Sequence, residues 1–309
     1  MSPDEIADLR DKHYNANLIQ LKLVNEDLMV ARIRPDFRVP VHKPGQYSTL
    51  GLGYWEPRYS GTQEEHPKPG DERKLIRRAY SLSSSVLDET GNLLDLPNAD
   101  WVEFYIVLVR MAEKAPPALT PRLFMLKEGD RLFLGEKFAG HFTLDPVKPG
   151  DAVIFLSTGT GEAPHNYMIW DLLRRRHEGP ILSACCVRYK KDLGYLAIHH
   201  ELMRRYPVYQ FLSLTTREKE TVNQKVYIQD LLSSGQLEER LGRPLDPAST
   251  HVYLCGNPNM IGVPIHDRVT GQDTYPQPTG VVEILEKRGF HIDQPSVKIK
   301  GNIHFEEYW

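Results

Sequence analysis

The second half of the chain constrains the fold most, because strand-like and helix-like segments alternate from about residue 150 onward. Apolar, β-rich runs lie at 152–158, 181–187, 209–216 and 250–256. Segments with helical spacing of apolar residues lie between or after them, at 165–179, 193–207 and 226–242. This alternation predicts a parallel sheet with helices on both faces. Sheets of this kind bind ligands beyond the carboxyl ends of their strands.

The first half has a different pattern, of short β-rich segments separated by turn residues. Strands are predicted at 17–25, 28–35, 46–53, 101–109 and 130–138. One helix is predicted over 117–129, with Thr120 as its cap, Pro121 at its first position and Gly129 at its end. Many short strands with a single helix favour an antiparallel barrel. A chain of 309 residues accommodates two domains, and we expect a barrel over 1–148 and an α/β domain over 149–309.

Composition excludes several classes of protein. A net charge of −3 and a pI near 6.5 give no basic field for nucleic acid or an anionic membrane. No apolar run approaches the roughly 18 residues of a membrane span, and the N-terminal residues do not form a secretory signal. Cys185, Cys186 and Cys255 form neither a disulfide framework nor a metal-ligand pattern, which favours a reducing, cytoplasmic location. The pair His199 and His200 lacks the HExxH spacing of a zinc hydrolase.

A glycine-rich turn follows the first apolar run of the second half. The sequence LSTGTGEAP occupies 156–164 and leads into a predicted helix. Gly159 and Gly161 allow close approach to the backbone, and amides at a helix N-terminus attract a pyrophosphate. We therefore predict a phosphate site over 158–161. The stretch departs from the GxGxxG fingerprint, and a tight turn without a ligand would look the same.

Basic residues follow the next two strands. Arg188 and Lys190 lie after the second strand, Arg217 lies after the third, and Lys225 comes eight residues later. An acid in this region often binds the ribose of NAD, whereas an arginine suits the 2′-phosphate of NADP. The group therefore favours NADP over NAD, although each cation alone is also typical of a solvated surface.

The stretch RRAYSLSSS at 77–85 has the composition of a flavin site. Arg78 would neutralise a pyrophosphate, Tyr80 would stack on the isoalloxazine ring, and Ser81 would hydrogen-bond near the flavin N5. The aromatic residues Tyr308 and Trp309 end the chain, where polar residues are usual, and they need a surface on which to stack. A solvated loop and a tail packed on the protein surface are the alternatives.

These motifs together resemble the ferredoxin–NADP reductase family, and most closely its bacterial ferredoxin/flavodoxin branch. The matching stretches follow the family order from about residue 15 to 309: RAYS (78–81), EFYIVLV (103–109), LTPRL (119–123), GTGEAP (159–164), TTRE (215–218), CGNPNM (255–260) and the terminal YW. The resemblance implies an FAD-binding barrel followed by an NADP-binding domain whose C-terminal tail returns to the flavin.

The resemblance also implies roles for individual residues. The residues expected to bind FAD are Arg78, Ala79, Tyr80, Ser81, Tyr105, Ile106, Val107, Thr120, Tyr308 and Trp309. The residues expected to bind NADP are Thr158, Gly159, Thr160, Gly161, Arg188, Arg217, Lys225 and Gly256. Catalytic roles in aligning the flavin and nicotinamide rings are expected for Ser81, Cys255 and Tyr308.

The activity implied by the resemblance is reversible hydride transfer between NADPH and flavin N5, coupled to one-electron exchange with ferredoxin or flavodoxin. The basic residues expected to dock this carrier are Arg73, Lys74, Arg77, Lys137, Arg174, Arg175 and Arg176. The alternatives are a related NAD(P)H-dependent flavin reductase that serves an oxygenase, a haem protein or a ferric chelate, and a flavin-free binding module. The oligomeric state stays open, with a monomer favoured.

Three features depart from the family pattern. Glu162 stands where the family usually has an apolar or small residue, and an acid would repel a diphosphate unless it points away. The Pro/Gly-rich stretch at 53–74, expected to be an exposed excursion, is longer than in compact bacterial members. A second insertion follows CGNPNM, at 262–282.

Overall fold

The computed structural model describes residues 1–267, 271–293 and 300–308. The chain divides into two compact units. One unit contains Met1–Ser84 and Asp95–His141, and the other contains Ser85–Leu94 and Phe142–Trp309.

The first unit is built on an antiparallel sheet of six strands. Its elements in chain order are α1 (Pro3–His13), β1 (Ala16–Asn25), β2 (Leu28–Pro35), β3 (Tyr47–Gly53), β4 (Leu75–Ser81), β5 (Val102–Val107), α2 (Thr120–Leu123) and β6 (Arg131–Leu134). The strand order is β4-β3-β6-β1-β2-β5, and all neighbouring pairs are antiparallel. Just beyond β4, Ser83 bridges to Glu103 of β5, so the two edge strands meet at this point and the sheet curves into a barrel. The predicted antiparallel barrel is confirmed.

The sequence pattern does not predict helix α1, because none of its residues is buried and it therefore has no apolar stripe. Local capping specifies this helix instead. The Ser2 hydroxyl accepts a hydrogen bond from the Glu5 amide, and the Glu5 carboxylate accepts one from the Ser2 amide. Arg10 then attaches the helix to the barrel by two hydrogen bonds to the buried Glu56 carboxylate, at 2.8 and 2.5 Å.

The helix predicted over 117–129 is wrong in length, since α2 ends after one turn. The chain leaves the helix because β1 captures the backbone that follows. The Gly129 amide donates to the Leu18 carbonyl at 2.7 Å, and the Leu18 amide donates to the Asp130 carbonyl at 2.9 Å. Gly129 adopts a positive φ of 94°, which a glycine tolerates well.

The stretch 53–74 is only partly exposed, because a buried arginine anchors it. Arg122 is 3% exposed and donates to the Glu65 carboxylate at 2.8 Å and to the Tyr54 carbonyl at 3.1 Å. Arg58 pairs with the same Glu65 carboxylate at 2.7 Å. The stretch is therefore fastened to α2, the helix that carries Arg122.

The second unit is built on a parallel sheet of five strands. Its elements are β7 (Ala152–Thr158), α3 (Glu162–Arg174), β8 (Ile181–Val187), α4 (Leu196–Arg205), β9 (Tyr209–Thr215), α5 (Ile228–Ser233), α6 (Gln236–Leu241), β10 (Thr250–Gly256), α7 (Pro258–Ile261), β11 (Ile265–His266), β12 (Asp273–Thr274), α8 (Val281–Glu286) and β13 (Ile303–Glu307). The strand order is β13-β10-β7-β8-β9, and all neighbouring pairs are parallel. The predicted parallel-sheet α/β fold is confirmed.

Helices cover both faces of this sheet, which is why its central strands are apolar without alternation. Ile154 and Leu156 pack toward the cluster formed with α5, α6 and α8. Phe155, which points to the other face, contacts the ring of His165 on α3. The segment 85–94 also packs in this unit, where the Trp170 indole N–H donates to the Leu94 carbonyl at 2.8 Å.

The structure also bears on membrane spans, metal sites and the state of the cysteines. Within the described ranges, no helix is long and apolar enough to cross a bilayer. Within the same ranges, no cluster of three His, Cys, Asp or Glu side chains could hold a metal ion. Cys185, Cys186 and Cys255 are buried free thiols.

Candidate functional site

The first unit has an open seam between its two edge strands. Beyond the bridge from Ser83 to Glu103, β4 and β5 form no ladder with each other in the part of the chain that the structure describes. The antiparallel direction of that bridge brings the RAYS residues 78–81 opposite 105–107. Across the seam, the rings of Tyr80 and Phe104 meet edge to face, with centroids 6.4 Å apart. Two segments far apart in sequence thus flank one opening, and both were predicted to bind FAD.

The β4 side of the seam offers a cation and a ring. Arg78 and Ala79 are exposed, Tyr80 is half-buried and Ser81 is buried. The Arg78 guanidinium donates to the neighbouring Arg77 carbonyl at 2.8 Å, and no described carboxylate lies within ion-pair distance of it. Arg78 is therefore available to bind an anion.

The β5 side of the seam offers strand backbone. Tyr105 and Ile106 are buried, whereas Val107 is 40% exposed. The Thr120 hydroxyl accepts a hydrogen bond from the Val109 amide at 3.1 Å, which ties the start of α2 to the end of this strand. The structure therefore brings Thr120 to the same edge of the barrel as residues 105–107.

In the second unit, the glycine-rich turn lies at the carboxyl end of β7. Gly159 is exposed and has a φ of +53°, and a Cβ built on it would meet no atom within 4 Å. Residues 159–161 form one turn of 3₁₀-helix that leads directly into α3. The backbone at Gly159 is thus open to a ligand, while Thr158 and Thr160 are half-buried.

Gly161 in the same turn and Gly256 at the end of β10 are required by packing between two strand ends. A Cβ on Gly161 would lie 2.2 Å from the Cys255 carbonyl oxygen, and one on Gly256 would lie 2.2 Å from the Thr158 hydroxyl. The Thr158 hydroxyl also accepts a hydrogen bond from the Asn257 amide at 2.7 Å. Gly256, which was expected to bind NADP, leaves room for the Thr158 hydroxyl because it has no side chain.

The Glu162 side chain points into the unit. Its carboxylate accepts a hydrogen bond from His199 Nε2 at 2.7 Å, and His199 Nδ1 lies 2.7 Å from the Tyr209 hydroxyl. All three side chains are buried. Because the side chain points away from the turn, the repulsion expected between Glu162 and a diphosphate is avoided. Sequence reasoning missed His199 and Tyr209 because nothing in their spacing relates them to Glu162.

Arg188 and Arg217, two of the cations predicted to favour a 2′-phosphate, lie side by side. The Arg217 amide donates to the Arg188 carbonyl at 2.9 Å, at the carboxyl ends of β9 and β8. Lys225 lies on the exposed segment before α5, and no described hydrogen bond links it to either arginine. None of the three cations forms an ion pair with a described carboxylate. The exposed arginine pair is therefore uncompensated.

The structure also brings Cys255 and Tyr308 together. The Tyr308 amide donates to the Gly256 carbonyl at 2.9 Å, beyond the parallel pairing of β13 with β10. Burial and the Glu306 carboxylate raise the pKa of the Cys255 thiol, and a hydrogen bond with the Tyr308 side chain opposes that shift. Cys255 is therefore a neutral thiol at neutral pH. Trp309 lies outside the described residues.

Of the predicted docking residues, three share one basic groove on the first unit. The groove has a volume of about 560 Å³ and is lined by His13, Tyr54, Arg73, Lys74, Leu75, Ile76, Arg77 and Arg78. Arg73 pairs with Glu5 and Lys74 pairs with Asp71. Arg77 instead lies over the Phe133 ring at 4.2 Å, without a carboxylate partner among the described residues. On the second unit, Arg174 and Arg175 both pair with Asp171.

The donor chemistry fits the two expected groups. An uncompensated guanidinium and an aromatic ring at the seam suit a flavin dinucleotide. The open Gly159 backbone and the pair Arg188 and Arg217 suit the phosphates of NADP.

Comparison with known proteins agrees with this geometry. A family profile described as "Oxidoreductase NAD-binding domain" matches residues 155–263. A flavodoxin/ferredoxin–NADP reductase of Shigella flexneri is 30% identical over 235 residues, covering 73% of this chain and 80% of that protein. The corresponding protein of Buchnera aphidicola subsp. Schizaphis graminum is 27% identical over 297 residues, covering 96% and 98%.

A solved structure has the same fold. The ferredoxin NADP+ reductase of Neisseria gonorrhoeae, determined with bound FAD and NADP, superposes with a TM-score of 0.66 at 21% identity. The match covers 96% of this chain and 98% of that one. By the sequence relationship and the shared fold, this chain belongs to the flavodoxin/ferredoxin–NADP reductase family.

Proposed function

We propose that this chain is an FAD-dependent flavodoxin/ferredoxin–NADP reductase, which exchanges electrons between NADP(H) and a small carrier protein. The observation that carries the proposal is the open Gly159 turn with the uncompensated pair Arg188 and Arg217 at the next strand ends. Such a set of donors suits a nucleotide that has both a pyrophosphate and a 2′-phosphate. Membership of the family supports the same activity.

In this proposal the barrel seam holds FAD. Arg78 would bind the pyrophosphate, Tyr80 would lie against the isoalloxazine ring, and the strand edge at 105–107 would hydrogen-bond the cofactor through its backbone. Thr120 would support the pyrophosphate from the start of α2. Bound FAD supplies the exchange of a hydride with NADPH and of single electrons with the carrier.

The nicotinamide would be received beside Cys255 and Tyr308, at the carboxyl end of β10. Because the Cys255 thiol stays neutral, it adds no negative charge where a nicotinamide would be bound. The contact of Tyr308 with Cys255 leads us to propose that the tail occupies the place of the nicotinamide and moves aside when NADP binds. Ser81 would serve as a hydrogen-bond donor near the reacting atoms.

The carrier would dock on the basic groove of the first unit. Ferredoxins and flavodoxins are proposed as partners for two reasons. The groove is basic, and the relatives of this chain are named for their action on flavodoxin and ferredoxin. Among the three predicted docking residues in the groove, Arg77 is the clearest test, because it has no described carboxylate partner whereas Arg73 and Lys74 have one each. The buried free thiols lead us to propose a reducing, cytoplasmic location.

The experiment is steady-state reduction of a flavodoxin and of a ferredoxin by NADPH, with the FAD-loaded protein and its Arg77→Glu variant. The variant is expected to raise the KM for the carrier about tenfold and to flatten its dependence on salt, with FAD content unchanged. The matched control is Lys22→Glu, an equal change of charge at an exposed residue of the same unit. No carrier reduction by the unmodified protein would contradict the proposed function, and equal KM values for both variants would contradict the docking surface.

A further inference from the structure

The trio of Glu162, His199 and Tyr209 joins three elements in the interior of the second unit. Glu162 is the first residue of α3, His199 lies on α4 and Tyr209 begins β9. Glu162 is 1% exposed and the other two are fully buried. The His199 ring is also stacked on Phe211, with ring centroids 3.9 Å apart. A buried carboxylate in apolar surroundings needs a hydrogen-bonding partner, and His199 is the one the structure gives it.

The direction of the hydrogen bond follows from the acceptor. An ionised carboxylate can only accept, so His199 Nε2 carries the proton that lies between the two groups. Tyr209 then fixes the ring from its other side, at Nδ1. The trio therefore holds the carboxylate in one orientation, directed away from solvent.

The position of the trio relates it to the nucleotide turn. Glu162 directly follows the 3₁₀ turn at 159–161, and the first amides of α3 attract any anion placed near them. A carboxylate and a pyrophosphate would compete for that field. The Cys185 thiol connects the two regions, since its Sγ lies 3.9 Å from the Gly159 carbonyl oxygen. Burial, and after it the Glu162 carboxylate, raises the pKa of that thiol.

We propose that His199 is a positioning residue for nucleotide binding, which holds the Glu162 carboxylate inside the unit and away from the turn that receives the NADP pyrophosphate. The inference rests on the proposed function, because it requires NADP to bind at that turn. A trio with only a structural role makes a different prediction. Removal of any member would then lower stability, and no member would affect nucleotide affinity selectively.

The test is a double-mutant cycle of His199→Leu, Glu162→Gln and the combined variant. Calorimetric titration gives the Kd of NADP+, and thermal unfolding reports stability separately. His199→Leu leaves the carboxylate unpaired, and we expect NADP+ to bind about tenfold more weakly. Glu162→Gln removes the charge, and the Kd should stay within about twofold of the unmodified protein. The combined variant should recover most of the affinity lost in His199→Leu.

A second ligand localises the effect. 2′-AMP carries the 2′-phosphate but has no pyrophosphate for the turn, so its Kd should be the same in all four proteins. With saturating NADPH, kcat should change less than about twofold while KM follows the Kd. Equal loss of NADP+ affinity in both single variants, or no recovery in the combined variant, would overturn the inference.

Folding defects do not remove the test. If His199→Leu does not fold, the combined variant decides, because it lacks both the charge and its partner. NADP+ affinity within about threefold of the unmodified protein would support the inference, and a tenfold loss would overturn it. Failure of the unmodified protein to bind NADP+ would instead count against the proposed function itself.

Discussion

Replacement of Gly159 by alanine tests whether the glycine-rich turn receives a phosphate. A Cβ at this position would meet no protein atom within 4 Å, so the substitution creates no clash in the free protein. The remaining cost is the left-handed backbone at a φ of +53°, about 1 kcal/mol for an alanine. For the second unit, this corresponds to a fall in Tm of about 2–4 °C.

The effect on nucleotide binding should be larger than the effect on folding. The added methyl group occupies the open space through which a phosphate would reach the backbone amides. Loss of one charge-assisted hydrogen bond is worth about 2 kcal/mol, which corresponds to a Kd for NADP+ about 30-fold higher. Titration of the FAD-loaded variant with NADP+, followed by the difference spectrum, measures this constant.

Gly235→Ala is the matched control. Gly235 lies in the same unit, has a φ of +78°, and likewise has no atom within 4 Å of a built Cβ. It should lose a similar amount of stability and bind NADP+ normally. If Gly159→Ala binds NADP+ as tightly as Gly235→Ala does, the turn is not a phosphate site.

Three further predictions concern other parts of the molecule. Burial lowers the pKa of His165 from 6.5 to about 3. Below about pH 6.5 the unfolded chain therefore binds a proton that the folded chain does not. This difference should lower the free energy of unfolding by about 2 kcal/mol between pH 7.5 and pH 5. Urea unfolding at both pH values should show that this part of the loss disappears in His165→Phe and persists in the exposed control His200→Phe. Arg217→Ala should raise the KM for NADPH about tenfold and leave that for NADH unchanged in steady-state assays, since only NADPH has a 2′-phosphate; equal changes would contradict the assignment. Arg122→Leu should lose about 3 kcal/mol of unfolding free energy in urea titrations, because Glu65 loses a buried partner, and an unchanged value would show that Arg122 does not anchor the excursion.

The central strands of the second unit could be predicted closely from the sequence. The runs at 152–158, 181–187 and 250–256 coincide with β7, β8 and β10, because strands buried on both faces are apolar without interruption. Two of the edge strands, β4 and β13, could not be predicted in this way. β4 and β13 carry polar residues on an open edge, so their patterns resemble a loop and a tail.

The parts of the site that depend on tertiary contacts were also beyond sequence reasoning. The glycines of the turn were found because their type is restricted locally. The pairing of Glu162 with His199 depends on how α4 packs against α3, across 37 residues of sequence. The role of Thr158 against Gly256 likewise depends on two strand ends that meet only in the folded sheet.

The central claim is that this chain binds FAD and receives a hydride from NADPH in preference to NADH. The most direct measurement is anaerobic titration of the FAD-loaded protein with NADPH and, separately, with NADH, followed by the visible absorption of the flavin. We expect NADPH to bleach the flavin at near-stoichiometric amounts and NADH to do so poorly, because Arg188 and Arg217 are uncompensated cations suited to a 2′-phosphate. Equal bleaching by both nucleotides, or a protein that does not retain FAD, would contradict this claim.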